Sequence, residues 1–406
     1  MQRRVLWVLI SCALYACSTP APLKKPVPAA IPAPTPVVVP IVEAPVITPL
    51  EIPLLPPVTV APLIEEPALL VNANARAHLA LLLPLNDKNF GAAATAVQQG
   101  FMAAANLDSS ALPIQVYSVD ESRNVAELYR QAVMNGARAV VGPLTRKGVT
   151  TLAAMPQITV PSLALNNVEA QPAERLFFFG MSLDDEARSV AQLAMQRDLH
   201  KVIVITGHTP LAQRMQLAFE EVWVAAGGKI TSEIDFKGDT SVLKGLSNTP
   251  DSLIFLATDA DNARHIRPFL PAGLPIYSTS QIFVGNEATL ANYDLNGVRF
   301  VDMPWLLQPD HAAVISFPHS ATPLSADEER LYALGIDAYQ LIRLMIGHNE
   351  AANMPLNGVS GIVRLQGHNF LRSAVPGVFK QGRAISTEAA AKPDTQMFPD
   401  QFKPRP

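Results

Sequence analysis

The chain has 406 residues, of which 49% are hydrophobic and 16% charged, and its formal net charge is −4. This length exceeds what one hydrophobic core organises, and the apolar content excludes an intrinsically disordered protein, so two packed lobes are expected. The negative charge disfavours nucleic acids and anionic membrane surfaces as partners bound through bulk charge.

The N-terminus is typical of a secretory leader. The basic segment Met1–Arg4 precedes an apolar stretch, Val5–Tyr15, of about 11 residues, well short of the roughly 20 that cross a bilayer. The leader closes with Leu14-Tyr15-Ala16-Cys17, which resembles a bacterial lipobox. We therefore predict a lipoprotein signal peptide over residues 1–16 and lipidation of Cys17, whose acyl chains anchor the protein. The alternative is a plain secretory leader with an incidental cysteine.

The residues around Cys17 bear on the compartment. Ser18 follows the cysteine and, by resemblance to enteric sorting rules, favours the outer membrane over the inner one. The other cysteine, Cys12, leaves with the leader, so the mature chain is predicted to have no disulfide and no cysteine-based metal site.

A proline-rich segment follows the cysteine. Prolines recur at short intervals from Pro20 to Pro67, and glycine is absent there. This composition favours extended polyproline II structure, which acts as a semi-rigid spacer. We predict that residues 17–75 form a disordered tether, of which the roughly 54 residues from Ser18 to Val71 reach at most about 170 Å at about 3.1 Å per residue. A proline-rich ligand for a partner domain is the alternative.

From His78 onward, short apolar runs alternate with segments of helical periodicity. The runs are His78–Leu85, Pro113–Val119, Ala137–Leu144, Val160–Leu165, Lys201–Thr206, Ser252–Ala257 and Pro275–Ser278. Such runs indicate strands covered by helices on both faces, and strand–helix–strand units close right-handed into parallel sheets. We predict an α/β fold with two doubly wound parallel-sheet lobes over residues 76–385, and a disordered tail over residues 386–406.

Two capping boxes mark helix starts in this region. Ser182-Leu183-Asp184-Asp185 opens a helix that is predicted to reach Leu199, and Ser325-Ala326-Asp327-Glu328 opens a helix whose apolar stripe extends to Met345. The glycine-punctuated segment Val359–Ile385 then indicates a β-hairpin.

The sequence carries none of the common motifs for catalysis or cofactor binding. Glycine-rich nucleotide loops, metalloprotease helices and nucleophile elbows are absent, and the eight histidines lack metal-ligand spacing. Ser241-Val242-Leu243-Lys244 matches the nucleophile motif of penicillin-recognising enzymes, but the accompanying Lys-Thr-Gly triplet is missing, which favours a surface helix. We predict a protein that is not an enzyme, with no catalytic residue, cofactor or metal.

In doubly wound folds, ligands bind where the carboxyl ends of the strands face the crevice. Polar side chains in the loops expected there are the candidate ligand-binding residues: Asn86, Thr145, Asn166, Asn167, His208, Thr258 and Ser280. The alternative for each is a loop or cap residue that satisfies backbone donors. Whether the crevice holds a small molecule, and which one, stays open.

Several segments of the folded region carry a family resemblance. They are His78–Asn86, Val140–Leu144, Leu163–Asn166, Asp184–Arg188, Arg330–Tyr339 and Asn357–Gly361. In this order they resemble the C-terminal domain of the penicillin-binding protein activator lipoproteins, the LppC or LpoA family. The resemblance implies a type I periplasmic-binding-protein fold, a lipid anchor in the outer membrane facing the periplasm, and stimulation of a class A penicillin-binding protein that synthesises peptidoglycan. Longer members also carry an N-terminal helical-repeat domain, and the tether is expected to supply the reach in its place.

The main alternative is a solute-binding lipoprotein of a transport system, with the same fold and a small molecule in the crevice. Amino-acid-binding relatives typically place small hydroxyl residues after the third and fourth strands. This chain has Pro143-Leu144 and Asn166-Asn167 there, which disfavours amino-acid ligands but not every ligand.

Overall fold

The computed structural model describes residues 75–119, 124–347 and 354–389. The predicted leader, Cys17 and the predicted tether up to residue 74 lie outside the described residues, and so does the tail after residue 389. No described helix is long and apolar enough to cross a membrane.

Two β-sheets with helices on their faces make up the described part of the chain. The elements of the first half are β1 (His78–Leu83), α1 (Gly91–Leu107), β2 (Ile114–Ser118), α2 (Val125–Met134), β3 (Ala137–Val141), α3 (Arg146–Ala153), β4 (Ser162–Ala164), β5 (Leu176–Phe179), α4 (Leu183–Met195), β6 (Lys201–Gly207), α5 (Pro210–Ala225) and β7 (Lys229–Phe236). Those of the second half are β8 (Ser252–Ala257), α6 (Ala260–Ile266), β9 (Ile276–Ser278), α7 (Thr289–Asn292), β10 (Arg299–Asp302), α8 (Pro304–Leu307), α9 (Ala312–Ile315), α10 (Ala326–Ile346), β11 (Leu356–Asn357), β12 (Ile362–Gln366), β13 (Asn369–Ser373), β14 (Val375–Lys380) and β15 (Arg383–Ser386).

The first sheet has the strand order β11-β12-β13-β5-β4-β3-β1-β2, and the second has the order β15-β14-β10-β9-β8-β6-β7. Strands β1 to β5 pair in parallel, as do β6 to β10. The predicted α/β fold with two sheet-centred lobes is therefore confirmed. Both sheets are mixed, because antiparallel pairs lie at one edge of each. In the first sheet β13 pairs with β5 in parallel, and β12 lies antiparallel between β13 and β11; in the second sheet β14 lies antiparallel between β10 and β15.

Strand β1 shows why the apolar runs are continuous. Leu79, Leu81 and Leu83 belong to the core on one face of the first sheet, while Ala80 and Leu82 belong to the core on the other. Since helices cover both faces, neither set can be polar.

The C-terminal part of the chain completes both lobes. Helix α10 packs on α1 in the core of the first lobe, and the two backbones approach closely at paired glycines. A Cβ atom on Gly100 would lie 1.9 Å from the Tyr332 carbonyl oxygen, and one on Gly335 would lie 2.1 Å from the Val97 carbonyl oxygen. The chain thus passes between the sheets three times: from β5 to α4, from β10 to α10, and from β13 to β14.

Local predictions hold with adjusted boundaries. Ser325 and Glu328 form the predicted capping box of α10. At the start of α4 only half of the predicted box is formed: the Ser182 hydroxyl accepts from the Asp185 backbone NH, while the Asp185 carboxylate accepts from Arg188, and the helix ends at Met195 instead of Leu199. The predicted single hairpin over 359–385 is two hairpins, one in each sheet. The last strand ends at Ser386, and the Thr387 backbone NH donates to Pro376, so the packed chain extends slightly beyond residue 385.

Candidate functional site at the passage between the sheets

The candidate ligand-binding residues all lie at carboxyl ends of strands, as predicted. On the first sheet, the Asn86 amide donates to the Ser118 hydroxyl (3.2 Å), and the Thr145 hydroxyl caps α3 by accepting from the Gly148 NH (3.2 Å). The Asn166 amide donates to the Leu144 carbonyl (3.0 Å), and its Oδ1 accepts from the Asn167 NH (3.0 Å). These contacts are made within the loops of one lobe.

The candidate residues on the second sheet differ in their burial and in their hydrogen-bond partners. His208 is exposed, with its Nδ1 3.4 Å from Asp235 Oδ1. Thr258 is buried beside Gly207, and its hydroxyl has no hydrogen-bond partner among the described residues. Ser280 is buried as well, and its backbone joins a cluster of charged side chains. A ligand-binding role for these seven residues stays a prediction.

The charged cluster at Ser280 contains two buried ion pairs. In the first, Arg372 Nη2 of strand β13 donates to Glu186 Oε1 of helix α4 at 2.6 Å, with the two side chains 6% and 5% exposed. The other oxygen of Glu186 accepts from the Ser280 backbone NH (3.0 Å). Since β13 belongs to the first sheet and α4 packs on the second, this pair joins the two lobes.

The second ion pair lies at the start of α10. Arg330 Nη2 is 2.7 Å from Asp302 Oδ2 at the end of β10, and its Nε contacts the same carboxylate at 3.2 and 3.3 Å. The same Nη2 also donates to the backbone carbonyls of Ser280 (3.1 Å) and Phe283 (2.8 Å). Arg330 is 6% exposed and Asp302 0%. This pair therefore ties the first-lobe helix α10 to the second sheet.

We name Glu186, Ser280, Asp302, Arg330 and Arg372 the interlobe ion network. Its members are connected through Ser280, whose NH faces Glu186 and whose carbonyl faces Arg330. Burial alone would lower the pKa of Arg330, but the Asp302 carboxylate, with help from Asp327 and Glu186, raises it above its ordinary value. The guanidinium is therefore permanently charged.

A further buried carboxylate, Asp337, lies on α10 next to this network. Its Oδ1 accepts from the Val359 NH (3.0 Å), and its Oδ2 accepts from the Ser360 NH (2.8 Å) and hydroxyl (2.6 Å). Burial raises the pKa of Asp337 to about 6, against the opposing effect of these hydrogen bonds and of the Arg372 charge. Gly358 leaves room for the carboxylate, because a Cβ there would lie 2.4 Å from Asp337 Oδ2.

A small recess opens at the same passage. Its lining includes Asn167, Ser182, Glu186 and Arg372. Arg372 Nε, a donor, and Asn167 Oδ1, an acceptor, are buried without a partner among the described residues. Because the free volume matches about one water molecule, the recess suits a bridging water rather than a larger solute.

The network was not predicted from the sequence as a site. Glu186, Arg330 and Asp337 each lie in a segment that carries the family resemblance, but on helices where charged side chains are usually exposed. Asp337 gives the clearest signal, because it falls within the apolar stripe of α10, between the buried residues Ile336 and Ala338. An ionisable residue on a buried helix face is a reason to search for a partner.

The described residues contain no group of three His, Cys, Asp or Glu side chains placed to hold a metal ion. Ser241 of the Ser-x-x-Lys motif lies in a short 3₁₀ helix over Thr240–Leu243, where its hydroxyl donates to Asp239 (2.7 Å). The hydroxyl is thereby engaged by a helix-capping carboxylate.

The LppC lipoprotein family matches residues 68–244 and 242–370. A curated relative, penicillin-binding protein activator LpoA of Haemophilus influenzae, is 28% identical over 301 residues, which are 70% of this chain and 51% of the relative. The chain thus spans about half the length of the curated relatives that it matches.

Solved structures are similar over the same region. One that carries the name of a branched-chain amino acid ABC transporter, from Chromobacterium violaceum, is 36% identical with a TM-score of 0.66, covering 75% of this chain and 100% of that one. The C-domain of Haemophilus influenzae LpoA, described as a regulator of PBP1A, is 24% identical with a TM-score of 0.66, covering 77% of this chain and all of that domain. These likenesses confirm the predicted periplasmic-binding-protein-like fold.

Proposed function

Because this chain belongs to the LppC lipoprotein family, we propose that it binds a class A penicillin-binding protein and stimulates it, and so regulates peptidoglycan synthesis. The observation that carries the proposal is the match of about 300 residues, 70% of this chain, to curated activators of penicillin-binding proteins. The matched part includes the segments that contain Glu186, Arg330, Asp337 and Ser360.

The proposed mechanism is allosteric binding. A partner interface of standard size buries about 1,600 Å² in total, which an exposed face of one or both lobes can supply. Preferential binding to the active state of the synthase by about 1–3 kcal/mol raises its activity roughly 5–150-fold. This mechanism needs no catalytic residue, cofactor or metal in the chain.

We further propose that acyl chains on Cys17 anchor the protein in the outer membrane, with the folded lobes in the periplasm. The family description as lipoproteins supports the anchor. The proline-rich segment would then carry the lobes toward the synthase. A chain that keeps Cys17 but lacks most of residues 17–75 should fail to complement a deletion strain, and full activity of that shortened chain would refute this role for the tether.

A second candidate function is solute binding for a transport system. It is favoured by the 36% identity to the Chromobacterium violaceum structure, which carries a transporter name. It is disfavoured by the crevice loops of the first lobe, where Asn86, Thr145 and Asn166 already make hydrogen bonds within their own lobe.

A pull-down beside a thermal-shift screen separates the two functions. The purified mature chain is mixed with class A synthases, and a solute-binding protein of the same fold serves as the control bait. In parallel, amino acids and muropeptides are screened for a rise in melting temperature. Capture of a synthase by this chain and not by the control supports activation. A large shift with a small solute and no capture would refute it in favour of transport.

A further inference from the structure

Both ion pairs of the interlobe ion network join one lobe to the other. Arg372 comes from the first sheet, and Arg330 from the helix that packs on α1 in the first lobe. Their partners, Glu186 and Asp302, belong to a helix and a strand of the second lobe. The pairs also lie beside all three passages of the chain: Glu186 follows the first, Asp302 and Arg330 flank the second, and Arg372 precedes the third.

The hydrogen bonds of Arg330 restrict rotation of helix α10 against the second lobe as well as separation of the two. Its guanidinium contacts the Asp302 carboxylate through both Nε and Nη2, and Nη2 also reaches the carbonyls of Ser280 and Phe283. A planar fork held by three groups of the second lobe cannot turn with α10 without losing hydrogen bonds. Arg372 and Glu186 provide a separate point of attachment near the other two passages.

Burial makes the separation of these pairs costly. All four charged side chains are at most 6% exposed, so a motion that parts them leaves charges unpaired in a low-dielectric interior. The recess beside Glu186 and Arg372 has room for about one water molecule, too few to solvate two separated charges. By contrast, Arg188 on α4 pairs with Asp185 and Glu221 inside the second lobe and is 39% exposed, so breaking that pair leaves solvated charges.

We propose that the interlobe ion network holds the two lobes at one fixed relative orientation. The lobes then present a single rigid surface to a macromolecular partner, instead of closing over a solute in the crevice. The proposal concerns the mechanics of the domain and does not depend on which partner binds. Combined with the proposed function, it means that the synthase meets both lobes at a preset angle.

The test is an interlobe distance distribution from paired spin labels. The full-length chain carries Cys12→Ser and Cys17→Ser, so that labels attach only at Lys147→Cys on α3 and Asp261→Cys on α6, one exposed site in each lobe. We expect one narrow peak that moves by less than about 2 Å when amino acids or muropeptides are added. Two peaks, or a larger solute-induced shift, would overturn the proposal without any further variant.

Substitutions within the interlobe ion network test whether it is the cause of the narrow distance distribution. Glu186→Gln and Arg372→Gln should broaden the distribution or add a second peak. The matched control Arg188→Gln, which removes an arginine whose ion pairs stay within the second lobe, should leave the distribution unchanged. If Arg372→Gln does not fold, the distance distribution of Glu186→Gln alone tests the proposal. This variant is expected to fold, because the glutamine side chain keeps one acceptor oxygen and nearly the volume of glutamate. A distribution as narrow as the unsubstituted one in a folded network variant would contradict the proposal.

Discussion

Substituting Arg330 by methionine should destabilise the chain strongly, because it removes the counter-charge of a carboxylate with no exposed surface. Asp302 is 0% exposed, and without Arg330 its remaining described partner is the backbone NH of Met303, 2.8 Å from Oδ1. The carbonyls of Ser280 and Phe283 lose a donor in the same substitution. Methionine retains much of the arginine stem, so the effect reports on the charge rather than on a cavity.

The expected loss is about 3–5 kcal/mol in the free energy of unfolding, the usual cost of leaving one partner of a buried pair alone. That is a large share of the roughly 5–15 kcal/mol that stabilises a typical domain. Replacing Asp302 by leucine in the same chain should recover most of the loss, since an apolar pair no longer leaves an unpaired charge. The difference between the free-energy change of the double variant and the sum of the two single changes measures the coupling between Arg330 and Asp302.

Urea unfolding followed by far-UV circular dichroism provides the free energies. The matched control is Arg188→Met, which breaks an ion pair with a 39% exposed arginine and should cost no more than about 1 kcal/mol. A loss for Arg330→Met within about 1 kcal/mol of this control would refute the reasoning.

Further substitutions test the packing and the electrostatics of α10. Gly335→Ala should lower the free energy of unfolding by about 2 kcal/mol, because a Cβ would lie 2.1 Å from the Val97 carbonyl oxygen and the clash exceeds the roughly 1 kcal/mol that alanine gains in a helix. Gly347→Ala, where a Cβ would lie 3.5 Å from its nearest neighbour, is the control, and equal effects of the two would contradict the close helix crossing. Gly358→Ala should destabilise by displacing the Asp337 carboxylate, 2.4 Å from the added Cβ, and an unchanged melting temperature would argue against that contact. Because burial raises the pKa of Asp337 to about 6, its stabilising contribution is complete below its ordinary pKa of 3.8 and is lost as the pH rises through about 6. Relative to Asp337→Asn, the unsubstituted chain should therefore lose about 2 kcal/mol between pH 4 and pH 7, and a pH-independent difference would contradict the shift.

Strands buried on both faces were predictable from the sequence, because their apolar runs are too short for a helix and are bounded by turn residues. Strand β7 escaped detection since it lies at the edge of the second sheet, where exposed and half-buried residues alternate. Strands β5 and β10 are only four residues each, too short for a reliable pattern. The capping box at Ser325 was predictable because it is made by residues close in sequence.

The interlobe ion network could not be predicted, because its contacts connect residues far apart in sequence. The Ser280 NH and Glu186 are 94 positions apart, and Arg372 and Glu186 are 186 apart. On helices α4 and α10, Glu186 and Arg330 have the local pattern of exposed charged residues. Only the return of the C-terminal segment to the first sheet, which local periodicity does not reveal, buries them together.

The proposed stimulation of a class A penicillin-binding protein is tested most directly by the rate of glycan polymerisation by a purified synthase with and without the mature chain. We predict a saturable increase of roughly 5–150-fold, as a coupling free energy of about 1–3 kcal/mol requires. Rates that stay unchanged at saturating concentrations of the chain, with every class A synthase of the same cell, would contradict the account.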